Sequence, residues 1–278
     1  MKSFRSLFLV AGILLSATAA LAQDDSSRAK PAFKLGLNYN SHLNFYGRTD
    51  SLRSSGVFPL AEFWLKDRFF INAAPVFVNN ARIRMEYAGT VASMGYQHLT
   101  EKWLTLVTAT KPFYTRSAQL VQLALKAQGA LSVSRLTPVV NVTLGGDVKW
   151  SNRLDFGATA GLDHVIRLQG SNGGVLVLDP GVYAYAGTQQ FSRTYSQKNR
   201  GSILFPGGSE EVTEQVQRFS ILAYEAMVPV IWAKGRWQLV ATPAFVVPKN
   251  LITVPGRPDL SERGKDLFYL TVGVKQTF

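Results

Sequence analysis

The sequence contains no cysteine. Without thiols the chain can form no disulfide framework, and it has no cysteine to carry the lipid of a lipoprotein. No stretch after the N-terminus approaches 18 consecutive apolar residues, which excludes a transmembrane helix. Only three histidines occur, and neither metal-ligand spacing nor a phosphate-cradling glycine loop is present. We therefore expect no resident metal and no cofactor.

The N-terminus carries the pattern of an export signal. Lys2 and Arg5 form a basic start, residues 7–15 are apolar but too short to span a bilayer, and Ala20-Leu21-Ala22 is a small-x-small cleavage site. The expected organisation is a signal peptide over 1–22, a periplasmic N-terminal linker over 23–31, and one large β-domain over 32–278.

The formal net charge is +12, but the basic residues are scattered along the chain. Because no cluster of lysine and arginine appears, the charge does not indicate nucleic-acid binding. Attraction to anionic lipid headgroups fits the scattered pattern better. No function follows from the charge alone.

The body of the chain consists of segments of about ten residues that alternate in polarity and are split by turn residues, as in a chain of β-strands. Tight connections alternate with the longer polar stretches 44–56, 79–88, 113–122, 188–215 and 249–266; residues 151–153 are the exception. This pattern predicts twelve strands, at 32–43, 57–66, 69–78, 89–98, 103–112, 123–134, 139–150, 154–168, 174–187, 216–232, 236–248 and 267–278. Ten strands, with 123–150 merged into a loop, is the alternative. Pro59 and Pro75 put the local register in doubt, because proline cannot donate to a ladder.

The last twelve residues alternate cleanly, with Phe268, Leu270, Val272 and Val274 on one face. A strand at the end of the chain must pair with an earlier one, and pairing with the first would close a barrel. Thr271, Gly273 and Phe278 resemble the C-terminal assembly signal of Gram-negative outer-membrane β-barrel proteins, although Gln276 stands where an aromatic is usual.

The whole mature chain is similar in style to uncharacterised barrels of the Bacteroidota. This resemblance implies an all-β fold, a single antiparallel up-and-down transmembrane β-barrel, located in the cell outer membrane after export through the periplasm. The implied partners are outer-membrane lipids and lipopolysaccharide, the barrel-assembly machinery through the C-terminal strand, and an envelope protein that the sequence does not identify.

In a barrel, alternate residues face the lumen. The charged and polar residues predicted to do so are Lys34, His42, Glu62, Lys126, Asp147, Lys149, Asp155, Asp163, Arg167, Asp179, Glu225 and Lys275. A selective pore is lined by one sign of charge. Since acids and bases are nearly balanced here, we expect a braced or narrowly open lumen. Aromatic residues collect near strand ends, as in interfacial girdles, although core packing would also place them there. They are Phe45, Tyr46, Trp64, Phe69, Phe70, Trp103, Phe113, Tyr114, Trp150, Trp232, Trp237 and Phe278.

Three functions remain open from the sequence. The leading one is a small-solute channel or a structural and interaction component of the envelope, without enzymatic activity. An outer-membrane hydrolase with an atypical site is the second, but no histidine has serine two residues away, and the adjacent Asp163 and His164 point to opposite faces. A secreted soluble β-protein is the third. The long connection 188–215 would either fold over the barrel mouth or bind a partner.

Overall fold

The computed structural model describes residues 31–50, 52–115, 125–170, 173–189, 218–252 and 261–278. The predicted signal peptide, the linker up to residue 30 and most of the 188–215 connection lie outside these residues. Within the described ranges no helix is long and apolar enough to cross a membrane, a finding that does not bear on crossing by strands.

Twelve strands form the body of the protein, and three of them are interrupted. They are β1 (Ala32–Asn40), β2 (Ser55–Leu65), β3 (Phe69–Asn79), β4 (Glu86–Leu99), β5 (Trp103–Tyr114), β6 (Ala127–Arg135), β7 (Asn141–Trp150), β8 (Leu154–Asp163 and Ile166–Gln169), β9 (Val175–Leu178 and Gly181–Gly187), β10 (Ser220–Met227 and Val230–Lys234), β11 (Trp237–Pro248) and β12 (Leu267–Thr277). All twelve predicted strands are confirmed, and the alternative of ten is wrong.

The strands close into an antiparallel barrel. Each pairs with its neighbour in sequence, and β12 pairs with both β11 and β1, so that Lys34 lies opposite Thr277 and Asn40 opposite Thr271. Short connections follow β2, β4, β6, β8 and β10 at one end, here called the turn end. The other end, here called the loop end, carries the longer connections and the short β7–β8 turn. The predicted alternation of short connections at one end with long connections at the other, except at residues 151–153, is therefore confirmed.

The outer surface of the barrel is apolar. In β1, Phe33, Leu35, Leu37 and Tyr39 are exposed and alternate with inward-facing Lys34, Gly36 and Asn38. Each of the twelve strands carries at least one large, exposed apolar side chain. Exposed aromatic rings near strand ends include Phe69, Trp103, Phe113, Trp150, Trp232, Trp237 and Phe278. A continuous apolar band of this extent is far larger than a typical soluble surface shows.

The final strand lies as its alternation predicts. Phe268 is exposed, whereas Tyr269 and Thr271 are buried inside the barrel. The amide of Phe278 donates to the carbonyl of Phe33 at 2.8 Å, and the two rings are 6.3 Å apart. The terminal aromatic thus packs on the first strand of the barrel, on its outer face.

The lumen is less polar than predicted. Its wall carries apolar clusters formed by Leu43, Phe58, Val76, Val78, Ala88 and Val91, by Trp64, Phe70 and Leu106, and by Val177 and Ile231. Trp64 and Phe70, which we grouped with the interfacial girdle, pack against each other inside the barrel, with ring centroids 4.9 Å apart and ring planes tilted by 34°. For these two rings the core-packing alternative is correct, because both occupy inward positions of their strands.

The prolines interrupt the β2–β3 ladder without changing its register, whereas the β3–β4 ladder shifts by one residue between Val76 and Phe77. Between Val57 and Ala61 of β2 no pairs with β3 form, because Pro59 and Pro75 face each other there and neither can donate. The register is the same on both sides of the gap. A second line of interruptions crosses β8, β9 and β10 side by side, at residues 164–165, 179–180 and 228–229. We call this line, with Pro243 of β11, the proline seam.

Candidate functional site in the mouth and lumen

The connection after β1 folds into the barrel rather than away from it. Asn44 pairs with Thr49 and Phe45 with Arg48, forming a small hairpin that we call the mouth hairpin (residues 44–49). The side chain of Asn44 accepts a hydrogen bond from the amide of Gly47 at 3.2 Å, which fixes the turn. Residues 43–48 are all buried. The first half of the long polar stretch 44–56 therefore lies inside the mouth at the loop end.

Arg48 holds the mouth hairpin in place. Only 3% of its surface is exposed, and all three guanidinium nitrogens donate hydrogen bonds. Nε contacts Glu262 at 2.9 Å and Nη2 contacts Gln189 at 2.8 Å. The remaining acceptors are the carbonyl groups of Tyr46, Leu222, Lys249 and Asn250. This arginine therefore joins connections that follow β1, β9 and β11.

The rings of the mouth hairpin pack on aromatic residues of the lumen wall. Tyr46 lies 5.1 Å from Tyr185, centroid to centroid, and 4.0 Å from Phe45. The cluster is completed by Leu222, Ala223, Met227, Ala244, Val246 and Tyr269. Sequence reasoning placed Phe45 and Tyr46 at the membrane interface. Nothing in the local pattern of residues 44–49 indicates that they are buried in the mouth.

Below the hairpin a buried carboxylate bridges two tyrosines. Tyr185 donates to one oxygen of Glu225 at 3.0 Å, and Tyr269 donates to the other. Glu225 was predicted to face the lumen, and its location inside the barrel agrees. The two phenols satisfy a charge that would otherwise be costly to bury. They also connect β9, β10 and β12 across the interior.

A second acidic group lies nearer the turn end. Asn141 donates to Asp163 at 2.8 Å, and Asp163 in turn contacts Asp179 through a side-chain hydrogen bond. One oxygen of Asp179 and the hydroxyl of Thr271 are buried without a protein partner among the described residues. Buried polar atoms of this kind are normally satisfied by water. Polar groups without a protein partner therefore lie in the lumen beside its apolar clusters.

Other predicted lumen charges form ion pairs. Glu62 is contacted by Lys275 at 3.2 Å and by Lys34 at 3.8 Å near the turn end, where Lys34 also lies over the Trp64 ring. Lys149 pairs with Asp147 near the loop end. Asp155 accepts a hydrogen bond from Thr188 at 2.7 Å. These contacts are the bracing that a mixed set of charges predicts.

Three predicted lumen residues lie at the margins. Lys126 is exposed just before β6 begins, and Arg167 is exposed on the second segment of β8. His42 follows β1 at the mouth, where its Nδ1 lies 3.2 Å from the hydroxyl of Ser41. That hydroxyl also accepts a hydrogen bond from the amide of Leu270, so Ser41 joins the mouth to β12.

Asp163 and His164 point to opposite faces, as adjacency predicts. Asp163 bonds to Asn141 on the lumen side, whereas His164 follows the outward positions of β8. His98 likewise occupies an outward position of its strand, where its ring stacks on Tyr96 with centroids 6.4 Å apart. Among the described residues, no group of three histidine, aspartate or glutamate side chains could hold a metal ion.

Comparisons with known proteins give structural likeness only. No family model matches the chain, and no curated protein matches it. Among solved structures, the KdgM porin is 9% identical with a TM-score of 0.48, over 88% of this chain and 99% of that one. LpxR from Salmonella typhimurium is 11% identical with a TM-score of 0.45, over 87% and 99%. An outer membrane channel from Pseudomonas putida F1 is 12% identical with a TM-score of 0.45, over 92% and 98%. The assignment of a closed barrel accordingly rests on the strand pairing of this chain itself.

Proposed function

We propose that this protein is an integral outer-membrane barrel that acts as a gated small-solute channel, with the mouth hairpin as its gate. The hairpin closes the loop end, and passage of a solute requires its displacement. On this proposal residues 1–22 direct export, the loop end faces outward towards lipopolysaccharide, and the barrel-assembly machinery engages Thr271, Gly273 and Phe278.

The apolar band supports the membrane location. Large apolar side chains are exposed on all twelve strands, while charges and hydrogen-bonded polar groups face inward. A transmembrane barrel requires this arrangement, because its outer face meets hydrocarbon and its backbone groups must pair within the closed sheet. A secreted soluble protein would bury one such face against a second layer, and the described residues form a single barrel wall.

The observation that carries the gating proposal is the polar anchoring of a plug in the mouth of the barrel. A permanent plug could be held by apolar packing alone. Here the rings of the hairpin do pack on the apolar cluster of the lumen wall, but the anchor is a buried arginine whose partners are a carboxylate, an amide and backbone carbonyl groups, all of which water can replace. Glu225, which Tyr185 and Tyr269 hydrogen-bond, lies beside the same cluster. Displacing the hairpin would therefore give water access to buried polar groups as well as to the apolar cluster.

Single-channel recording tests the proposal. The full chain is refolded in detergent, checked for heat-modifiable migration on a gel, and inserted into planar bilayers. We expect wild-type protein to be closed with brief, small openings, and Arg48→Ala to conduct for a much larger fraction of the time. Arg84→Ala, which removes an exposed arginine of another loop-end connection, should behave as wild type.

Two outcomes would count against this function. If neither wild-type protein nor Arg48→Ala conducts although both migrate as folded barrels, a structural role in the envelope replaces the channel. If the exported chain stays soluble without detergent, the membrane location itself is wrong.

A further inference from the structure

At the proline seam, each of three adjacent strand pairs contains one pair of facing residues that forms only one of the usual two hydrogen bonds. Across the seam one amide of each pair donates to a proline carbonyl: His164 to Pro180 at 3.0 Å, Asp179 to Pro229 at 2.9 Å, and Val228 to Pro243 at 3.1 Å. In an antiparallel ladder such residues normally exchange two bonds. A proline nitrogen carries no hydrogen and cannot return the second one.

The seam is unusual because of where it lies. Prolines in sheets are normally confined to edges and bulges, and a closed barrel has no edge. Here three of them occur on one line across β9, β10 and β11, within the apolar band. Each missing bond leaves a carbonyl group without its ladder donor in a wall that faces hydrocarbon. The wall is therefore locally less tightly bonded along this line.

A groove of about 570 Å³ lies on the outer face directly over the seam. Its walls are apolar side chains that point away from the lumen, including Leu162, Val182, Val228, Phe245 and Phe268. Pro180 and Pro243 contribute to it as well. Met227 and Ala244, which are buried and face inward, also line the groove. The groove therefore extends over the wall where β10 and β11 pair.

We propose that this groove binds one acyl chain of a membrane phospholipid, which lies against the proline seam. Its volume falls within the range of small-molecule sites. It is continuous with the apolar band, so the molecules that reach it are the lipids around the barrel. An acyl chain held in the groove packs against the part of the wall where the prolines leave ladder hydrogen bonds unformed. The proposal rests on the membrane location of the barrel and not on channel activity.

Native mass spectrometry measures this binding. Protein is released in mild detergent from vesicles of phosphatidylethanolamine, and the fraction that retains one phospholipid is counted. We expect wild-type protein to retain one molecule, and Ala226→Trp, which fills the groove, to lower its occupancy about tenfold. Ala226 is an exposed, groove-lining residue of β10. Ala160→Trp, at an exposed outward alanine of β8 away from the groove, should retain lipid as wild type does.

A second pair of variants tests the proposal even if Ala226→Trp fails to fold. Phe245→Ala removes one wall of the groove and should also lower lipid retention, whereas Phe156→Ala, at an equally exposed phenylalanine of β8, should not. Equal retention in a groove variant and its control, or no retention by wild-type protein, would overturn the proposal. A silent planar bilayer together with a retained lipid would overturn the channel and leave the lipid site standing.

Discussion

The guanidinium Nε of Arg48 lies 2.9 Å from a carboxylate oxygen of Glu262, a residue 214 positions later in the chain. The same oxygen accepts a hydrogen bond from the amide of Ile252 at 3.0 Å. One carboxylate therefore joins the mouth hairpin to both described ends of the β11–β12 connection. The hairpin cannot leave the mouth without separating this ion pair.

Removing Arg48 should destabilise the protein by about 3 kcal/mol, because the Glu262 carboxylate, which is largely shielded from solvent, loses its ion-pair partner. Urea unfolding in lipid vesicles measures the change. Replacing both Arg48 and Glu262 by methionine should cost less than Arg48→Ala alone, since no buried charge is then left over. A loss for Arg48→Ala no larger than that for the exposed control Arg84→Ala would contradict the assignment of Arg48 as the anchor.

Gly47→Ala should open the mouth without touching a charge. Gly47 has φ of +74°, and an added Cβ would lie 2.8 Å from the side chain of Pro248. Gly173 has a similar φ of +71° but open space around it. We expect Gly173→Ala to cost about 1 kcal/mol from backbone strain alone and to leave conductance unchanged. Gly47→Ala should cost a further ~2 kcal/mol from crowding and raise the open fraction in a planar bilayer.

Glu62 should be more important for stability than either lysine that contacts it. Glu62→Gln leaves two ammonium groups facing each other in the lumen, at a cost of about 3 kcal/mol. Lys275→Ala should cost more than Lys34→Ala, because Lys275 is the closer partner at 3.2 Å against 3.8 Å. The triple replacement of all three by methionine should be milder than Glu62→Gln, as measured by urea unfolding. A triple variant less stable than the single one would contradict the bracing role.

Leu144→Arg tests the membrane directly. Leu144 is 63% exposed on the outer face of β7, so a soluble protein would tolerate arginine there. On the lipid face of a barrel, arginine near the midplane costs roughly 2–4 kcal/mol. Asn152→Arg, at an exposed position of the β7–β8 turn, should change little. Vesicle-based unfolding compares the two, and equal stabilities would argue against a lipid-facing band.

Pro243→Ala should strengthen the proline seam. The new amide lies opposite Val228, whose own amide already donates to residue 243 at 3.1 Å, so the pair would exchange two bonds. The added hydrogen bond should stabilise the folded protein by about 1 kcal/mol, and by more where water is excluded. Loss of the proline should destabilise it by about 0.5 kcal/mol, because the unfolded chain becomes more flexible. We expect slower hydrogen exchange along β10 and β11. Pro138→Ala, in an exposed turn, should show only the small loss of stability that comes from the unfolded chain. Faster hydrogen exchange in Pro243→Ala than in the wild-type protein would contradict the idea that the proline seam weakens the wall.

Most of the wall could be predicted from residue alternation. In β1 every second residue is apolar, and β7 and β12 follow the same pattern except at Gly146 and Gln276. Such strands can face hydrocarbon on one side only, so their lumen residues follow directly. Alternation places Lys34, Glu62, Asp147, Lys149, Asp155, Asp163, Asp179, Glu225 and Lys275 in the lumen, and their side chains are buried or half-buried. Alternation carries no information beyond the ends of a strand, which is why Lys126 was placed in the lumen although it is exposed.

The mouth hairpin and the seam could not be predicted, for different reasons. Residues 44–49 are polar and aromatic with no period, and their burial depends on Gln189 and Glu262, which are distant in sequence. Pro180, Pro229 and Pro243 are far apart in the chain, and only the strand register places them on one line. In both cases the structure depends on contacts between strands, which the pattern of a single strand does not contain. Export by residues 1–22 and kinship with Bacteroidota barrels stay predictions.

The contact between Arg48 and Glu262 also sets an order of events during folding. The mouth hairpin follows the first strand, but its anchors follow β9 and β11. They reach the hairpin only when β12 has paired with β1. Contacts so distant in sequence form late, because the entropy of closing the intervening chain must first be overcome. We therefore expect the contacts that seal the mouth to form late in folding, after the barrel wall has closed.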